Sequence, residues 1–202
     1  MRIAIELNGV LRDTLKKIQE QYEKWYIENP FREEEEEENL DFEYKVISDL
    51  TTLNIKEHLS FKDENDLYDF LYKEHTMEIF GHAGSVEVSS MMDFNNFYLD
   101  IRDEHDVLIV SDEIGKSKPA SLFFISKFGC LVETVKFYSE STINSMWDSI
   151  DVLLTANPKL LLDHPQSKVV IKYDTSYNKD VEVEHSITSL KELKTKIKEI
   201  YA

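Results

Sequence analysis

The amino-acid sequence predicts an α/β domain in which a parallel sheet is flanked by helices and interrupted by one small helical insertion. Three observations carry this expectation. Five short apolar runs have the length of strands, amphipathic stretches of helical period lie between them, and the alternation breaks down in a single region.

The first run, Ile3, Ala4, Ile5 and Leu7, is nearly continuous rather than alternating, as expected of a strand buried on both faces. Similar runs follow at Val107 to Val110, Val135 to Tyr138, Val152 to Leu154 and Val169 to Ile171. Between them, Leu15, Ile18, Tyr22 and Trp25, and later Leu122, Ile125 and Phe128, recur at spacings of three or four and should cover the sheet. Pro119 suits the first turn of its helix. Asn157-Pro158 reads as an N-cap followed by proline at the first helical position. At the C-terminus, Ser189 and Glu192 have capping-box spacing, and Ile187, Leu190, Leu193, Ile197 and Ile200 form a stripe that should dock against the sheet edge.

The rhythm fails between about Trp25 and Asn95. Residues 25–95 are therefore expected to form an insertion or cap, with residues 1–24 and 96–202 forming the core. The run Glu33 to Glu38 is expected to be a solvated acidic loop, a lure for a basic partner being the alternative. Leu67, Phe70 and Leu71 after Asp63, and Met92, Phe94, Phe97, Tyr98 and Ile101, suggest two further helices whose aromatics turn inward.

The chain of 202 residues is 42% apolar and 11% aromatic, enough for one packed core. Its net charge of -17 repels phosphate backbones and anionic lipids, so neither nucleic acid nor membrane is an expected partner. A single cysteine, Cys130, excludes an intrachain disulfide and multi-cysteine metal sites, and it is expected to be a small core residue in a reducing compartment. The opening residues lack the long apolar segment of a signal peptide. His75 and His82 do not have close metal-ligand spacing and are expected to be structural. Tyr22, Trp25 and Tyr26 should pack along their helix.

The segment Glu6-Leu7-Asn8-Gly9-Val10-Leu11-Arg12-Asp13-Thr14, at the end of the first strand, resembles the first motif of the haloacid-dehalogenase (HAD) superfamily. There an aspartate, any residue and a second aspartate precede Gly-Val. Ser111 after Val110 looks like the phosphate-binding second motif, and Lys118-Pro119 like the third. Asp151-Val152-Leu153-Leu154-Thr155-Ala156-Asn157-Pro158 has the shape of the fourth, which normally carries magnesium-binding acids. The resemblance implies a Rossmann-like core. The tail around Lys172-Tyr173 and Tyr177-Asn178 is similar to the deoxyribonucleotidase-like branch of bacteria and phages, and a further resemblance is to a conserved HAD-like protein of crAss-like bacteriophages.

Against that pattern the catalytic acids are replaced. Glu6 keeps a carboxylate but moves its oxygens by up to roughly 1.5 Å, and a displacement of about 1 Å can cost on the order of a hundredfold. Asn8 does not titrate near neutrality and cannot act as acid or base. Thr155 and Ala156 supply no charge for magnesium. Asp13, Asp112 and Glu113 lie near the motifs without an evident route to the missing positions. Ser111 and Lys118 could still bind an anion, with Lys116 a weaker substitute and Lys127 nearby.

Three readings follow. The first is a catalytically degenerate HAD-like protein used as a structural or interaction component, its partners other protein chains such as phage structural proteins, located in the host cytoplasm or the virion. The second is a divergent magnesium-dependent phosphatase or nucleotidase. The third is a non-hydrolytic phosphate or nucleotide binder. The first requires no cofactor; magnesium enters only with the second.

Overall fold

The computed structural model describes residues 1–28 and 42–201; the acidic run 33–38 lies outside the described residues. Six strands form one sheet: β1 (Arg2–Glu6), β2 (Asp106–Asp112), β3 (Val135–Tyr138), β4 (Val152–Thr155), β5 (Val169–Tyr173) and β6 (Ser186–Ile187). Their spatial order is β3-β2-β1-β4-β5-β6 and every pairing is parallel. This is the order of a doubly wound Rossmann-like sheet.

Period-two alternation along the central strands sends side chains to two separate cores. Ile3, Ile5, Ile109, Leu154 and Ile171 face one layer, against α3 (Ser90–Ile101), α4 (Ser117–Lys127) and α7 (Leu193–Tyr201). Ala4, Leu108, Val110, Leu153 and Val170 face the other, against α5 (Ile143–Asp148) and α6 (Pro158–Leu162). Because both faces are covered, the strands had to be apolar almost throughout, which is why they were legible as continuous runs.

A third cluster belongs to the insertion. Ile18 and Tyr22 of α1 (Thr14–Tyr22) pack with Leu59, Phe61, Phe70, Leu71, Ile79 and Phe80, and Ala120 of α4 closes the cluster from the core side. The Tyr22 ring lies 5.2 Å from Phe61 and 5.1 Å from Tyr26. The helix α2 (Glu64–Asp69) begins at Asp63, whose carboxylate accepts from the amides of Asn65 and Asp66. π-Helical turns follow α1 at Glu23–Ile27 and α2 at Phe70–Glu74, and a third spans Met77–Gly81. The helix α3 crosses residue 95, and its Met91 and Phe94 share the sheet-facing core with Phe97 and Ile101.

Several helix registers differ from expectation. Ile18 and Tyr22 of α1 serve the insertion's cluster rather than the sheet, and Trp25 is 41% exposed, stacked on His75 at 5.0 Å. In α4, Phe124 and Ile125 are buried while Leu122 is 47% exposed. Apolar residues occupy both sides of this helix, so periodicity alone could not choose its face. Ile187 is not helical. It pairs with Tyr173 as part of β6, because Ser189 is extended and starts the helix after itself. The capping box between Ser189 and Glu192 is present, as are the Asn157 cap and its following proline.

Candidate functional site

In an open parallel sheet the carboxyl ends of the strands form a crevice where the strand order reverses. Here β1 has β2 on one side and β4 on the other, so Glu6, Ser111 and Thr155 come to one place from segments far apart in sequence. Asn8 follows on the turn after β1. Gly9 in this turn has φ +76°, and a Cβ there would lie 2.0 Å from Tyr177 Oη, so the position requires glycine twice over.

Glu6 is 2% exposed. Its Oε1 accepts from Tyr138 Oη at 2.9 Å and its Oε2 accepts from Thr155 Oγ1. Burial pushes this carboxyl up from 4.5 to about 7, with the charge of Asp112 adding to the effect and the two hydroxyls opposing it. Thr155 in turn accepts from the Asn157 amide at 2.9 Å. Ala156 is buried, and its carbonyl accepts from Asn178 Nδ2 at 2.9 Å.

Asn8 belongs to a second network, centred on a residue whose role the sequence did not reveal. Arg12 is fully buried, with its guanidinium 5.3 Å from the centre of the Phe80 ring and 5.5 Å from that of Phe124. Nη2 donates to Asn8 Oδ1 at 2.6 Å and to Glu113 Oε1 at 2.5 Å. Nη1 donates to the Phe80 carbonyl at 2.7 Å and to Ser121 Oγ at 2.6 Å. The Thr14 hydroxyl also donates to Asn8 Oδ1, at 2.7 Å. One arginine thus joins the first motif, the end of β2, α4 and the insertion. Its sequence signal was a charged residue immediately after the buried pair Val10-Leu11, but its partners Phe80, Glu113 and Ser121 are near only in space.

Ser111 is buried, with its hydroxyl donating to Glu113 Oε1 at 3.1 Å and accepting from Asn8 Nδ2 at 3.4 Å. Lys118 is exposed, with its ammonium 5.8 Å from the centre of the Phe137 ring. Ser111 and Lys118 thus engage different partners. Lys118 sits in the first turn of α4, and the helix directs it outward. Lys116 is also exposed, and Lys127 lies over Phe128. His75 is buried beside Phe70 and His82 lies 5.2 Å from the ring of Phe123, so the two histidines serve different contacts. Cys130 is half-buried against the main core.

A cavity of about 200 Å³ opens beside Glu6 and Asn8, with Asp13, Asp112 and Tyr177 on its wall. Burial raises the carboxyls of Asp13 and Asp112 above the usual range. Asp13 also caps α1, and Glu113 is paired with Arg12.

No family model and no curated protein sequence matches the chain. A solved haloacid dehalogenase-like hydrolase from Burkholderia xenovorans LB400 is similar in structure, with a TM-score of 0.59, covering 100% of this chain and 98% of that one. The fold is HAD-like. At 10% identity the likeness concerns the path of the chain alone.

The residues at these strand ends do not fit the magnesium ion that the resemblance of the motifs implies. Both Glu6 oxygens are taken by hydroxyl donors, Asn8 Oδ1 by Arg12 and Thr14, and Thr155 and Ala156 bring no carboxylate. Among the described residues no three acidic, histidine or cysteine side chains come together as a metal site. The two hydroxyls donate to the Glu6 carboxylate and favour its ionised form, against the burial that favours the protonated one.

Proposed function

We propose that this chain is a catalytically degenerate HAD-like protein that serves as a structural or protein-interaction component. The observation that carries the reading is the state of Asn8. At the position where the resemblance implies an acid-base carboxyl, a non-titrating amide accepts from Arg12 and Thr14 within a buried network. The cap on Glu6 supports the same reading, since an attacking carboxylate needs an oxygen free to approach phosphorus. Exposed Met77 and Phe123, adjacent around Gly81, support contact with other protein chains. The resemblance to a crAss-like phage protein makes phage structural proteins the natural partner class, and a virion or host-cytoplasmic setting goes with it.

The test is a phosphatase assay of the purified chain with magnesium on a panel of phosphate esters that includes deoxynucleoside monophosphates. The expected rate equals that of the Glu6→Ala variant. Turnover that disappears in Glu6→Ala would overturn the reading in favour of a divergent phosphatase.

A further inference from the structure

The outer face of α4 differs in charge from the rest of the chain. Residues 114–132 form the longest stretch without an acidic side chain, in a chain that carries 40 acids and a net charge of -17. They include Lys116, Lys118 and Lys127, all exposed. Elsewhere lysines such as Lys17, Lys73, Lys159 and Lys194 sit against carboxylates. Among the described residues the three on this stretch have no ion-pair partner; Lys118 lies over the Phe137 ring and Lys127 over that of Phe128. The neighbouring turn Met77–Gly81 contributes one acid, Glu78.

The same face is apolar. Leu122 is 47% exposed and Phe123 42%. At 3.6 residues per turn both fall between Lys118 and Lys127, around the helix as well as along it, and the two lysines stand about 13.5 Å apart along the axis. The insertion extends the patch. A Cβ on Gly81 would come within 2.5 Å of Met77 Sδ and 3.2 Å of Phe123 Cδ1, so exposed Met77 and Phe123 lie side by side there, and His82 flanks Phe123 at 5.2 Å.

An apolar centre that excludes water, with charges at its margin, has the make-up of an interface, and the charges select the partner. Here they select carboxylates. An extended anionic surface, lipid or nucleic acid, would meet the field of a chain with net charge -17, whereas a short segment meets only the local field, since surface charges beyond about 8 Å are screened. A second copy presenting this face would set lysine against lysine. We propose that the α4 face binds a segment of a partner protein whose apolar side chains, seated on Leu122, Phe123 and Met77, are bracketed by carboxylates that pair with Lys118 and Lys127. The proposal rests on the interaction reading and names the chemistry of the partner.

Fluorescence anisotropy on the full chain tests it with two labelled synthetic peptides, each holding phenylalanine and leucine between glutamates. One places its glutamates about 13.5 Å apart as a helix and the other as an extended strand, and versions with lysine for glutamate are the controls. Saturable binding of at least one glutamate peptide, no binding of the lysine versions, and weakening by about tenfold in Phe123→Ser and in Lys118→Glu/Lys127→Glu are expected, the size of one lost anchor. Circular dichroism checks that both variants are folded. No binding of either glutamate peptide, equal binding of the lysine versions, or unchanged affinity in either folded variant overturns the proposal. Co-sedimentation with phosphatidylserine vesicles, or self-association of the chain alone, overturns it too if lost in Phe123→Ser, because the face then belongs to a membrane or to a second copy. A phosphatase assay on the same preparation separates the two failures. An inactive chain that ignores the peptides sinks only this inference, whereas an active chain that binds them sinks only the non-catalytic reading.

Discussion

Replacing Glu6 by glutamine would remove a charge that the folded chain holds at a cost. The carboxyl faces Tyr138 from β3, Thr155 from β4, Asp112 from β2 and Tyr177 from the loop after β5, and burial raises it from 4.5 to about 7. The unfolded chain therefore releases this proton before the folded chain does. The associated stability is fully present below pH 4.5 and is lost as the pH rises through 7. At about 1.4 kcal/mol per pH unit the full effect is about 3.5 kcal/mol, of which about 2 kcal/mol falls between roughly pH 5.5 and 8. That window stays above the isoelectric point of about 4.7. Glutamine mimics the protonated acid at every pH. Urea unfolding of both proteins across the window should show the wild type losing about 2 kcal/mol relative to Glu6→Gln. If the two stabilities run parallel within about 0.5 kcal/mol, Glu6 titrates as an ordinary carboxylate and the argument from its burial fails.

Two further variants probe the scaffold. Arg12→Met leaves Glu113 buried and uncompensated and should cost about 3–5 kcal/mol in urea unfolding, with part recovered in Arg12→Met/Glu113→Gln; a loss under about 1 kcal/mol would mean that the buried pair does not join the insertion to the core. Gly9→Ala meets both a positive φ and the Tyr177 hydroxyl and should destabilise by about 1–3 kcal/mol. Adding Tyr177→Phe should recover part of that loss in thermal melts, and no recovery would assign the whole cost to the backbone.

Much of the sheet was legible because parallel strands covered on both faces must be apolar in unbroken runs. Val135–Tyr138 was read with the observed bounds, and β1, β2, β4 and β5 to within a few residues. The two-residue β6 was missed because its single buried position, Ile187, has no pattern of its own and was absorbed into the helical stripe that follows. Helix faces were harder. Leu122 and Phe123 share α4 with Phe124 and Ile125, and only the insertion and the sheet decide which of these apolar residues is covered.

For the site, the sequence by itself determined which functional groups stand at positions 6, 8, 155 and 156, whatever the fold does. An asparagine does not become an acid through its surroundings. Only the tertiary structure decided what those side chains do instead. It brought Thr155 and Tyr138 onto Glu6 and drew Asn8 into the hydrogen bonds of Arg12. It also left Lys118 outside a cavity walled by carboxylates. The contacts on Glu6 and the outward place of Lys118 depend on residues far apart in the chain, and on burial that raises the energy of an unpaired charge. Neither is encoded in local spacing.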